Sequence, residues 1–323
     1  MDWVFVVFGL GLLALGGEGL VRGASGIALA ARVTPAVVGL TIVAGGTSMP
    51  ELVVSVQSAL GGNSGLAVGN VVGSNLFNVG AILGIAALVR PLGVTGSTVR
   101  MEWPVMFLAT LQLYLLARDG TVDRVEGAFL LAALVTFTAY AIWLGRATSA
   151  TEEGEGFAET VTASFGTTGA RALALNLLAV AVGVGLLAGG STLLVSGAVG
   201  IASSLGVSDT VIGLTVVAAG TSTPELVTSL VAARRGQDDI AVANVIGSCI
   251  FNILGIASLT ALAQPLTVAA EILSRDIWWM IGGAAVLFPM IFTDRRVTRL
   301  EGAVLLAGFA VYLALVVLDA VRP

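Results

Sequence analysis

The sequence contains no histidine, no lysine and a single cysteine, and each of these gaps removes a class of chemistry. A phosphate-binding loop needs a Lys against its phosphates, so an ATP-driven pump built on one is excluded. Without an imidazole there is neither a Ser/His nucleophile pair nor a His-based zinc site, which argues against an intramembrane protease of either kind. Cys249 has no second cysteine to pair with and reads as a small buried apolar residue. Charge is scarce as well: 11% of residues are charged against 57% hydrophobic, and the mean hydropathy of +1.00 is beyond the range of a water-soluble domain. The bilayer is therefore the expected solvent of the chain. The net charge of −5 is carried largely by exposed ends and by Glu152, Glu153, Glu155 and Glu159; it implies neither a nucleic acid nor an obligate protein partner.

A membrane span needs roughly 20 apolar residues. On that measure the chain divides into about ten spans, near 3–30, 34–60, 66–89, 103–117, 125–145, 172–203, 208–233, 240–263, 277–293 and 301–319. The first follows Asp2 rather than a basic segment and lacks a small-residue cleavage site, so it reads as a span and not as a removable signal peptide. The sizeable hydrophilic stretch, 146–171, is an acidic linker rich in Thr, Gly and Ser. It divides the chain into a first repeat, 1–145, and a second, 172–323. Ten arginines (Arg32, Arg90, Arg100, Arg146, Arg171, Arg234, Arg235, Arg295, Arg296 and Arg299) fall in connections on one side, and four (Arg118, Arg124, Arg275 and Arg322) on the other. The richer side is expected to be cytoplasmic, which puts both termini and the poorer side outside and the linker inside. An odd number of spans per half inverts the second half relative to the first.

The two halves are related in sequence. With a constant offset and no gap, 33–92 and 207–266 share 30 identical positions of 60, and the coincidences include polar and helix-breaking residues. Gly46-Thr47-Ser48-Met49-Pro50-Glu51-Leu52 recurs as Gly220-Thr221-Ser222-Thr223-Pro224-Glu225-Leu226, and Gly69-Asn70-Val71-Val72-Gly73-Ser74-Asn75-Leu76-Phe77-Asn78 as Ala243-Asn244-Val245-Ile246-Gly247-Ser248-Cys249-Ile250-Phe251-Asn252. Antiparallel copies of one unit, each with a broken helix at a matching position, form the pattern of a secondary transporter whose site lies at the repeat interface near the midplane. The expected fold is an all-α integral membrane protein of two inverted-topology five-helix repeats.

Glu18, Glu51 and Glu225 are the acids well inside apolar spans. A carboxylate there costs a few kcal/mol or more unless partnered. Glu18 has Arg22 four residues on, on the same helical face. Glu51 and Glu225 have no basic residue at helical spacing, so a cation is their natural partner. Pro50 and Pro224 should kink or unwind the preceding Gly-Thr-Ser segments and free the carbonyls of Ala44, Thr47 and Ser48, and of Ala218, Thr221 and Ser222, as oxygen ligands. In the next helix Ser74 and Asn78 share a face, as do Ser248 and Asn252, and can add hydroxyl and amide oxygens; the alternative is polar glue between helices. An all-oxygen set suits Ca²⁺ and Na⁺.

At these residues the chain resembles the calcium/cation antiporter superfamily, in particular its prokaryotic sodium/calcium exchanger branch. The two G-T-S-x-P-E-L and G-S-x-x-F-N segments are similar to that family's paired alpha repeats. The proton/calcium branch carries a different, Asn-containing motif around its glutamates. The resemblance implies that Glu51 and Glu225 bind Ca²⁺ together with backbone oxygens of Thr47 and Thr221. It also implies flanking Na⁺ sites from Ala44, Thr47, Ser74 and Glu51, and from Ala218, Thr221, Ser248 and Glu225, with Asn78 at the centre. Asn252 departs from members that carry an aspartate there, leaves two carboxylates in the cavity, and argues for potassium independence.

The function expected on these grounds is Ca²⁺/Na⁺ antiport by alternating access, in a cell membrane, with the two ions as transported cargo and no resident cofactor. A proton/calcium exchanger is the nearest alternative, since a buried glutamate can carry H⁺. A glutamate-lined cation channel is a more distant one.

Overall fold

The computed structural model describes residues 2–31, 33–148, 170–205 and 218–321. Most of the expected linker, and the first half of the span expected at 208–233, lie outside the described residues. The first half of the chain forms α1 (Asp2–Ala31), α2 (Pro35–Thr47), α3 (Met49–Leu60), α4 (Ser64–Val89), α5 (Trp103–Leu116) and α6 (Arg124–Thr148). The second forms α7 (Ala170–Ser204), α8 (Ala218–Thr221), α9 (Thr223–Arg234), α10 (Asp238–Ala263), α11 (Ile272–Thr293) and α12 (Arg299–Val321).

Among the described residues, seven helices are long and apolar enough to cross a membrane, and eight if α2 and α3, bent by 46° where they meet, make one broken span. The expected ten exceed this count for two local reasons. Helix α5 has only 14 residues, about 21 Å at 1.5 Å each, although the π-helical turn Thr98–Glu102 extends it at its start. The span at 208–233 is seen only from α8 onward.

Helices α4 and α10 form the centre of the molecule: 94% of the most apolar stretch of α10 is buried, against 17% in α7 and α12, which carry the outer wall. Large apolar side chains such as Phe8, Phe129, Trp143, Leu178 and Phe292 face outward, while Glu51, Glu225, Asn78 and Asn252 are buried. This is the arrangement that a lipid solvent selects.

The repeat of sequence is accompanied by a repeat of elements. A wide π-helical turn interrupts α4 at Phe77–Ile82 and α10 at Phe251–Ala257, and another precedes α5 at Thr98–Glu102 and opens α11 at Ile272–Asp276. The described residues include four two-residue strands, β1 (Leu92–Gly93), β2 (Thr121–Val122), β3 (Leu266–Thr267) and β4 (Arg296–Val297). They pair across the halves, both antiparallel, β1 with β4 through Leu92 opposite Val297, and β2 with β3 through Val122 opposite Leu266.

Helices α1 and α7 lie together backbone to backbone. A Cβ added at Gly16 would stand 2.9 Å from the Gly183 carbonyl oxygen, and one at Gly9 2.8 Å from that of Gly190. Only glycine permits such an approach, and small residues are what bring helices together where lipid supplies no hydrophobic drive.

Candidate functional site

Pro50 and Pro224 occupy the first turn of α3 and α9, where their missing N–H breaks no bond within the helix. The residue ahead of each helix carries the break, Ser48 at φ −84°, ψ 10° and Ser222 at φ −90°, ψ 10°. The chain kinks there and does not unwind through the whole Gly-Thr-Ser segment. The Ser48 carbonyl accepts from Leu52 N–H at 3.1 Å, and the Ser222 carbonyl from Leu226 N–H at 3.2 Å. The Ala44 carbonyl accepts from Ser48 N–H at 3.1 Å and from the Thr47 hydroxyl at 3.2 Å. These three expected backbone ligands are thus already hydrogen-bonded, and the Thr47 hydroxyl must turn away before Ala44 has a lone pair for an ion. The backbone of Ala218 and Thr221 forms α8, the counterpart of the last turn of α2.

The kinks aim Glu51 and Glu225 into the interior, each 1% exposed. Each carboxylate is then held by the other half of the chain. Ser48 Oγ donates to Glu225 Oε1 at 2.8 Å and Ser222 Oγ to Glu51 Oε1 at 2.9 Å. Ser74 joins the group through its hydroxyl, 3.2 Å from Ser222 Oγ. The two carboxylates lie within Coulomb range of each other, and none of the ion pairs among the described residues involves either.

What remains is a set of unsatisfied oxygens. Glu51 Oε2, Glu225 Oε2, Asn78 Oδ1, Asn252 Oδ1 and Ser248 Oγ are all buried with no hydrogen-bond partner. A buried acceptor left unmade costs about 1–3 kcal/mol, and more when charged. Two carboxylate oxygens, two amide oxygens and a hydroxyl, with no cluster of three or more His, Cys, Asp or Glu among the described residues, make a hard, oxygen-only donor set. A bound cation would satisfy these atoms together.

Of the residues expected from sequence, Glu51, Glu225, Ser48, Ser222 and Ser74 are joined by hydrogen bonds, and Ser248, Asn78 and Asn252 are buried with free oxygens. Sequence reasoning missed the residues that brace this group. Asn70 Nδ2 donates to the Glu51 carbonyl at 3.2 Å and to Ser55 Oγ at 2.9 Å, and Asn244 repeats this with the Glu225 carbonyl at 3.3 Å and Ser229 Oγ at 2.9 Å. The signal was available, because Asn70 and Ser55 recur in the second copy. Glu18 does pair with Arg22, at 2.7 Å to its Nε, but it is also gripped by Arg235, whose Nε lies 2.9 Å from Oε2. Glu102 and Asp276, related by the same offset as Glu51 and Glu225, are buried at the turns that lead into the α5 and α11 helices, Glu102 bonded to Thr98 at 2.7 Å and Asp276 to Arg275 at 2.7 Å.

Comparison with known proteins adds a family. A model described as sodium/calcium exchanger protein matches residues 1–143 and 175–318. The sodium/calcium exchanger MaX1 of Methanosarcina acetivorans is 32% identical over 358 residues, covering 97% of both chains. The inner membrane protein YrbG of Escherichia coli is 34% identical over 313 residues, covering 96% of this chain and 95% of its own. Among solved structures, the sodium-calcium exchanger NCX_Mj superposes with a TM-score of 0.83 at 27% identity, covering 100% of this chain and 99% of that one.

Proposed function

We propose, from the premise that this chain belongs to the sodium/calcium exchanger protein family, that it is a secondary antiporter moving Ca²⁺ against Na⁺ by alternating access. The observation that carries the reading is the reciprocal hold of Ser48 on Glu225 and Ser222 on Glu51, which leaves one oxygen of each buried carboxylate free. Two negative charges are matched by one Ca²⁺ or by two Na⁺, so either cargo neutralises the cavity and both cannot occupy it together. In this reading Glu51, Glu225, Ser48, Ser222, Ser74, Ser248, Asn78 and Asn252 supply side-chain oxygens. Ala44, Thr47, Ala218 and Thr221 supply backbone oxygens, that of Ala44 once the ion displaces its present hydrogen bonds.

The same reading takes the halves 1–145 and 172–323 as inverted five-span repeats joined by a cytoplasmic linker, with ten spans and both termini outside. Its support is the duplicated motif, the pseudo-twofold exchange of strands and the arginine asymmetry.

The test is Ca²⁺ uptake into liposomes loaded with Na⁺ and diluted into Na⁺-free buffer, with Glu51→Gln and Glu225→Gln alongside. Uptake is expected to require the outward Na⁺ gradient and to fall to background in both variants. Uptake that ignores Na⁺ and follows a pH gradient would transfer the coupling to H⁺, for which a buried carboxylate without a basic partner is also suited.

A further inference from the structure

Within the repeated motifs of the central site, the first copy has Asn75 where the second has Cys249. Both are buried, at 3% and 1% exposure, where α4 crosses α10. Asn75 Nδ2 donates to the Cys249 carbonyl at 3.3 Å, which fixes the Asn75 amide with its oxygen on the opposite side. That oxygen accepts from Asn252 Nδ2 at 3.0 Å. The amino group of Asn252 is therefore committed away from the cavity, and its Oδ1 is left buried and without a partner. An amide has one oxygen and one NH₂, so whether it offers a lone pair or two protons to a cation depends entirely on which way it is turned. In the other half the place of Asn75 is taken by Cys249, whose side chain faces Asn78. Its S–H, a weak donor, points outward to the Asn75 carbonyl at 3.9 Å.

Resting on the reading of this cavity as a cation site, we propose that Asn75 is a positioning residue that locks Asn252 with its oxygen toward the ion, while Asn78 is faced by the weaker sulfur of Cys249. The chain of orientation runs from the Cys249 carbonyl to the Asn75 amide, then to the Asn252 amide, and ends on the ion. Neither Asn75 oxygen nor nitrogen reaches the cation. The two amide ligands are thus held unequally: Asn252 by the oxygen of a fixed amide, Asn78 by the softer sulfur of Cys249.

The orientation argument has a distinctive rescue. A carboxylate has oxygens on both sides and needs no orienting, so Asn252→Asp makes position 252 independent of Asn75. The experiment measures half-saturating Ca²⁺ and maximal exchange rate in liposomes, with Ca²⁺ titration calorimetry on the same preparations and melting temperature as the check on folding. Asn75→Leu is expected to raise half-saturating Ca²⁺ about tenfold, the size of one net buried hydrogen bond, with maximal rate within about twofold, a shift too small to register as a lost transition-state contact. Adding Asn75→Leu to Asn252→Asp is expected to change Ca²⁺ affinity by less than twofold. Asn75→Ala serves in the same scheme if the leucine is not accommodated. Unchanged affinity in Asn75→Leu and Asn75→Ala overturns the proposal, as does an equal loss with and without Asn252→Asp, which is the mark of a packing role. A wild-type protein that binds Ca²⁺ normally in the same calorimeter keeps the cation site intact in that event; one that binds none removes both readings.

Discussion

Ser48 and Ser222 each serve two ends of the site at once: the backbone forms the kink and the hydroxyl reaches across to the glutamate of the opposite half. Ser48→Ala leaves Glu225 Oε1 without its donor, and Ser222→Ala does the same to Glu51 Oε1. Each is expected to weaken Ca²⁺ binding by about tenfold, as for a lost hydrogen bond to a charged group, while the fold is retained; calorimetric titration against the wild type measures it. These residues were legible in the sequence because duplication marked them twice, beside a proline and an acid that a bilayer does not tolerate without reason. Asn70 and Asn244 were duplicated too, yet an Asn that donates to a carbonyl and an Asn that offers its oxygen to an ion look the same in a sequence. Arg235, which grips Glu18 from 217 positions away, carries no periodicity that could announce the contact.

The paired helices α1 and α7 are where single elements decide behaviour. Gly16 and Gly183 face each other with no room for a Cβ, whereas Gly185 and Gly189 of α7 have nothing within 4 Å of that position. Gly16→Val and Gly183→Val are expected to cost about 1–3 kcal/mol through forced backbone displacement and to slow exchange. Gly185→Ala and Gly189→Ala are expected to be neutral or stabilising by about 0.4–1 kcal/mol. Thermal melting in detergent with the exchange assay on the same samples separates the two groups. A second device ties α1 to the far end of α9. Glu18 accepts from both Arg22 and Arg235, and at the related positions of the other half stand Thr192 and Gly61, so this clamp has no twin. Glu18→Gln is expected to change the ratio of forward to reverse exchange under mirrored gradients, because it loosens one face of a nearly symmetric carrier and not the other. An unchanged ratio would reduce the clamp to surface decoration. The break at Ser48 was foreseen from Pro50, but its narrowness was not. Proline at the second position of a helix satisfies itself, and the neighbouring carbonyls then find donors within one turn.

At the scale of the whole molecule, the proposed function has both cargoes share two carboxylates, which makes them exclusive. Raising Na⁺ on the side where Ca²⁺ is offered is expected to increase half-saturating Ca²⁺ in proportion while leaving the maximal rate unchanged; a falling maximum instead would mean that Na⁺ binds where Ca²⁺ does not. The repeat was legible as 30 matching positions, but the pairing of β1 with β4 and of β2 with β3 was not, since two-residue strands leave no pattern. Those strands, with the crossed serine–glutamate bonds, mean that neither half contains the partners of its own short strands or of its central glutamate. As the chain leaves the ribosome, the first half is made before Ser222, β3 and β4, so Glu51 lacks Ser222 and β1 and β2 are unmatched until the second half follows. A nascent chain interrupted midway therefore presents to the insertion machinery the unpartnered acid and open strand ends that cellular quality control is built to detect, and the duplicated architecture makes completion of synthesis the condition for burial of its own charge.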